Sequence, residues 1–160
     1  MKARHAIFVA LAAAFMLTSV AAAGPNAAKQ RVMITSQAAQ TTQVSPFVLI
    51  PLQAGVIKRD SGKLIAGSHG ADRVVMREGQ EVTIIDEVST FKGKRGSFVT
   101  RYHAEWVDAG NGYDVASATW KVIRGTGQYA KITGGGRVGS VWNERTDAWS
   151  SHMEGVLTLP

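Results

Sequence analysis

Three side chains able to move or stabilise charge, Arg101, His103 and Glu105, alternate along one short stretch, and Tyr102 lies between the first two. An imidazole beside a carboxylate is common material for general acid–base catalysis, and a phenol can donate a proton or a hydrogen bond. His103, Glu105 and Tyr102 are therefore the candidate catalytic residues. In an extended chain alternate residues face opposite sides. His103 and Glu105 then share a face with Arg101, while Tyr102 shares the other with Phe98, Thr100, Ala104 and Trp106. The aromatic set is the natural interior, which makes the charged set a solvated outer face steadied by cross-strand pairs. Were the phase inverted, Arg101, His103 and Glu105 would point inward, where burial shifts protonation and makes acid–base groups of them.

Other chemistries lack their residues. The chain has no cysteine, so it holds no thiolate nucleophile, disulfide or cysteine-ligated metal. No metal site is expected, because His103 and Glu105 supply only two ligands on a common face where a first-row ion wants three or four. No cofactor is expected either. Gly125-x-Gly127-x-x-Ala130 matches a relaxed dinucleotide fingerprint, but Lys131-Ile132-Thr133-Gly134-Gly135-Gly136 follows it, and that run cannot sustain the helix the fingerprint needs. A Gly-x-Ser-x-Gly elbow and a Ser-x-x-Lys pair are both missing. What stands out instead is aromatic: Trp106, Trp120, Trp142 and Trp149, which either fill a core or line a ligand cage.

The elements that must position these residues read as strands. From residue 45 onward the sequence consists of short apolar or alternating runs broken by glycine, without a useful helical period. Strands are expected at 47–57, 73–77, 81–91, 96–107, 113–123, 137–142 and 149–157. Lys92-Gly93-Lys94 and Asp108-Ala109-Gly110-Asn111-Gly112 supply hairpin turns. In the strand at 113–123, Ala116, Ala118 and Trp120 are the inward set, and small residues facing large ones suit a small barrel. The expected fold is all-β, an antiparallel meander closed into a β-barrel of about eight strands.

Upstream, Lys2, Arg4 and His5 precede an apolar run, and Ala21-Ala22-Ala23 offers small residues for cleavage before Gly24. Residues 1–23 read as a secretory signal peptide, since the run is shorter than the about 20 residues a spanning helix needs. No membrane span is expected. Residues 24–44, rich in Ala, Gln and Thr, read as a flexible arm in which Val32-Met33-Ile34 could add an edge strand. Residues 45–160 form the barrel domain. Taking Lys2 and Arg4 from the 18 basic residues, against 12 acidic ones, lowers the net charge from +6 to +4, too modest and too dispersed to indicate nucleic acid.

The hairpin Gly93-Lys94-Arg95-Gly96-Ser97-Phe98, followed by Trp120, Val122, Gly125-Thr126-Gly127, Tyr129-Ala130, Ile132, Gly134 and Gly136, resembles the small barrels of the allene oxide cyclase and dirigent-like family. The resemblance spans roughly residues 82–141 and implies an eight-stranded barrel with the Gly125 to Ala130 segment as a tight connection. It brings no residue-by-residue match for the polar sites of either group, so it says little of function.

The expected function is binding of a small apolar or aromatic ligand in the barrel of an exported protein, periplasmic or secreted, with Phe98, Tyr102, Trp106 and Trp120 as ligand-binding residues. The alternatives are an isomerase or cyclase acting on a hydrophobic substrate, and a non-catalytic structural or surface-interaction module. Oligomeric state is not legible.

Overall fold

A computed structural model describes residues 28–40 and 43–160, and among them the chain forms nine strands. In order these are β1 (Ala28–Ala38), β2 (Val44–Pro51), β3 (Asp60–His69), β4 (Arg73–Arg77), β5 (Gln80–Gly93), β6 (Ser97–Gly110), β7 (Tyr113–Gly125), β8 (Thr133–Asn143) and β9 (Ala148–Leu159). A single 3₁₀ turn, Gly127–Tyr129, joins β7 to β8. All pairings are antiparallel, in the order β3-β2-β1-β9-β8-β7-β6-β5, and β3 closes the circle by pairing with β5. The expected all-β, eight-stranded barrel is thus observed, with β4 as one strand beyond it.

That extra strand exists because β5 is longer than its neighbour. β3 accompanies β5 from Gly62↔Gly93 to His69↔Glu87, and β4 takes over the same edge from Arg73↔Ile84 to Arg77↔Gln80. The wall of the barrel is carried past the end of β3 by a strand that pairs on one side only.

One half of the interior is solid. The rings of Phe47, Phe91, Phe98 and Tyr129 meet there, with Phe91 stacked on Phe98 at 4.7 Å and Tyr129 set edgewise to Phe98 at 5.0 Å. Val32, Ile34, Leu49, Ile57 and Leu157 fill the spaces around them. Dense packing of this kind supplies most of the stability of a barrel without disulfides.

Polar groups seal the same end. Asp60 is buried at the start of β3, where its carboxylate accepts the backbone N–H groups of Lys94 at 3.0 Å and Arg95 at 3.3 Å and the Tyr129 hydroxyl at 2.9 Å. One side chain therefore ties the β5–β6 hairpin to the 3₁₀ turn. Burial, then the hydrogen bond to Asp60, pushes the Tyr129 phenol well above its ordinary value. Gln30 fastens the β2–β3 loop in a similar way, donating to the carbonyls of Gln53 and Ile57 and accepting the Ile57 N–H at 2.8 Å.

Several boundaries need correction. The expected flexible arm at 24–44 is largely β1, a full barrel strand between β2 and β9 rather than an edge. Its inward positions are Gln30, Val32, Ile34 and Ser36, and two polar residues among four hid the alternation. Ser36 is satisfied by Ser45 at 3.1 Å and the Pro46 carbonyl at 2.6 Å. β3 was not expected at all: its glycines and polar residues leave Leu64 as its one buried hydrophobic side chain. β2 ends at Pro51, and Ile57 belongs to the loop that folds back over the packed end.

β8 begins at Thr133 rather than at 137, so the triple-glycine run is strand. Space explains this: a Cβ on Gly136 would sit 1.9 Å from the Glu154 carbonyl, and one on Gly155 would sit 2.6 Å from the Trp120 ring. Residues 1–23, read as a signal peptide, lie outside the described residues.

Candidate functional site

The other half of the barrel is open. Strand phase decides what faces it: Tyr102, Ala104 and Trp106 from β6, and Asp114, Ala116 and Ala118 from β7, continue the inward faces that carry Phe98 and Trp120 lower down. With Glu87 and Ser89 of β5, Trp142 of β8, and Trp149 and Met153 of β9, they bound a cavity of about 520 Å³. That volume lies within the roughly 300–1,000 Å³ of small-molecule sites.

The space exists because small residues occupy adjacent inward positions. Ala104 is register partner to Ala118, and Trp106 to Ala116, so each large side chain borders a gap. Near the mouth Trp142 lies opposite Trp149 on β9 and opposite Asp114 on β7. The Trp142 indole N–H donates to the Asp147 carboxylate at 3.0 Å across the β8–β9 turn. Deeper, Tyr102 is register partner to Glu87, and its hydroxyl donates to the Met153 sulfur at 3.4 Å, a weak acceptor. Ser89 donates to the Glu87 carboxylate.

Desolvation inside the barrel pushes the Tyr102 phenol well above its ordinary value, opposed by a hydrogen bond with Thr100 and reinforced by the charge of Glu87. The phenol is a proton-bearing donor at neutral pH.

The ligand-binding residues expected from sequence divide between the two halves. Tyr102 and Trp106 line the cavity. Phe98 and Trp120 are in the packed core at 0% and 3% exposure, and the Trp120 indole N–H donates to the Glu154 carbonyl at 3.2 Å. The catalytic candidates divide as well, with the barrel wall between them. Tyr102 faces in, whereas His103 and Glu105 face out: His103 Nδ1 lies 2.8 Å from the Asp86 carboxylate, and Arg77 pairs with Glu105 at 2.6 Å. The His103 hydrogen bond is the main cause holding the Asp86 carboxyl below its ordinary 3.8, aided by the charges of His103, Arg73 and Arg101.

The inverted phase, with Arg101, His103 and Glu105 inside, does not occur. Among the described residues, His69, His103 and His152 are all exposed, and no group of three or more His, Cys, Asp or Glu converges to hold a metal ion.

Glu87, Asp114 and Asp147 were not singled out in the sequence. The signal for two of them was available, since Asp114 shares its phase with Ala116, Ala118 and Trp120, and Glu87 shares its phase with Ser89 and Phe91. Asp147 is placed by a turn and has no strand phase to reveal it. The cavity can enclose an apolar or aromatic body among indoles and offer it carboxylates and one phenol. Among the described residues its lining holds no imidazole. Comparison with known proteins adds no identity: no protein-family model, curated protein or solved structure matches this chain.

Proposed function

We propose that this protein binds a small apolar or aromatic molecule in the open half of its barrel. The observation that carries the reading is the 520 Å³ cavity bounded by Trp106, Trp142 and Trp149 against Ala104, Ala116 and Ala118, since a barrel serving only as a structural module has no need to leave this volume unfilled. The resemblance to allene oxide cyclase and dirigent-like barrels supports it through architecture alone. Export to the periplasm or beyond is part of the proposal, supported by the basic start, apolar run and alanine cluster of residues 1–23.

A second reading is an isomerase or cyclase acting on a hydrophobic substrate. The pairing of Tyr102 with Glu87 on the cavity wall favours it, because a phenol and a carboxylate can share proton transfer at a bound molecule.

Tryptophan fluorescence of the purified protein, titrated with phenolics, aromatic amines, fatty acids and hydrophobic dyes, tests the proposal. Saturable quenching or a blue shift that is lost in Trp106→Ala supports an internal site. A folded protein that responds to none of the panel overturns it. Turnover of a bound panel member, lost in Tyr102→Phe, moves the assignment to the second reading.

A further inference from the structure

The charge of the cavity opposes that of the chain. Lysine and arginine outnumber aspartate and glutamate 18 to 12 overall, yet among the described residues none of the cavity's lining side chains is Lys, Arg or His, and three are acidic: Glu87, Asp114 and Asp147. The outward carboxylates of the adjacent wall are neutralised locally, Asp86 by Arg73 and His103 and Glu105 by Arg77. Glu87 and Asp114 have no such cation among the described ion pairs. These carboxylates share the cavity lining with Trp106, Trp142 and Trp149, and an indole face attracts cations through the ring quadrupole. A low-dielectric concavity lined by one sign of charge also focuses its field on whatever enters.

We infer that the cavity selects a cationic ligand, an amine or quaternary ammonium joined to an apolar or aromatic body. The inference rests on the ligand-binding reading above and narrows its ligand class. The cationic head sits near the mouth, where Asp114 is register partner to Trp142 and Trp142 to Trp149. The apolar body extends down between Ala118 and Met153 toward the packed half. An anionic ligand, a fatty acid included, is disfavoured by the same field.

The test uses three probes of matched shape on the purified protein: (2-naphthylmethyl)trimethylammonium, its neutral carbon isostere 2-neopentylnaphthalene, and 2-naphthylmethanesulfonate. Calorimetric titration at low salt is expected to rank them cation, neutral, anion, with the cation about tenfold or more tighter than the isostere. The preference shrinks as salt is raised. Asp114→Asn is expected to weaken the cation about fivefold or more while leaving the neutral probe within about twofold. Retained affinity for the neutral probe shows that the variant is folded, and Glu87→Gln gives an independent second variant. Binding of the neutral or anionic probe as tight as that of the cation overturns the inference and leaves the ligand-binding reading standing. Binding of none of the three overturns both.

Discussion

The indole N–H of Trp142 donates to the carboxylate of Asp147 at 3.0 Å, and Asp147 occupies the left-handed region at φ 57° in the turn between β8 and β9. One residue therefore both reverses the chain and holds a cavity-lining ring. Asparagine keeps an acceptor oxygen and tolerates that φ, whereas valine supplies neither. Asp147→Asn should alter stability by less than about 0.5 kcal/mol, and Asp147→Val should cost about 2–3 kcal/mol through lost acceptor and strained backbone. Chemical denaturation monitored by tryptophan emission separates the two.

At the sealed end, Asp60→Ala strips the acceptor from three backbone N–H groups, those of Ser61, Lys94 and Arg95, and from the Tyr129 hydroxyl in a single change. A loss of about 3 kcal/mol or more is expected, since the buried Tyr129 hydroxyl and three part-buried N–H groups lose their acceptor together. Tyr129→Phe removes one donor only and should cost about 1–2 kcal/mol. Equal losses in the two variants would contradict the arrangement.

Alkaline titration reads the two phenols that face the barrel interior. Tyr102 and Tyr129 both have raised values in the folded chain, so each favours folding below the ordinary 10 and ceases to do so as pH climbs beyond it. Ultraviolet absorbance near the phenolate band should show two of the three tyrosines ionising only together with unfolding. Stability should fall less steeply above pH about 10 when both are phenylalanine.

Acid titration reads the outer wall. Asp86 has its carboxyl lowered by the His103 hydrogen bond, so its contribution is present above the ordinary 3.8 and lost as pH falls below it. Carbon-detected NMR of the side-chain carboxyl should place its midpoint below that value, and His103→Gln should move it upward. His103→Gln should leave binding in the cavity at neutral pH unchanged, because His103 and Asp86 stand on the opposite side of the wall.

Ala118→Phe places a ring in the open volume between Ala104 and Val138. Ligand binding should disappear while the melting temperature holds or rises, because the new ring fills space and displaces little. Phe98→Ala, in the packed half, should instead cost about 3–5 kcal/mol. The pair of variants distinguishes filling a site from emptying a core.

How far these features could be read in advance depended on local pattern. The phases of β6 and β7 were legible because aromatic or small residues alternate there with charged ones over many positions. β1 and β3 were hidden because their inward faces carry Gln30, Ser36, Ser45-facing contacts and glycine, and their burial depends on partners distant in the chain. Closure of the barrel rests on those two strands, so shortening the chain to residues 45–160 should abolish cooperative thermal unfolding. The division of the interior was illegible for the same reason: alternation places Phe98 and Trp106 on one face, but which level is filled depends on side chains from the opposite wall.

That division separates what the fold must keep from what it is free to vary. The Phe47, Phe91, Phe98 and Tyr129 rings and the Asp60 anchor all lie at one end, while Asp114, Ser140, Trp142 and Ser151 around the cavity stand outside the packed cluster. Substitutions at the mouth can reshape or recharge the chamber without endangering the scaffold beneath it. Related chains built on this plan can accordingly diverge in what they hold while their lower halves stay nearly constant, and a designer can retune recognition in this barrel one rim position at a time.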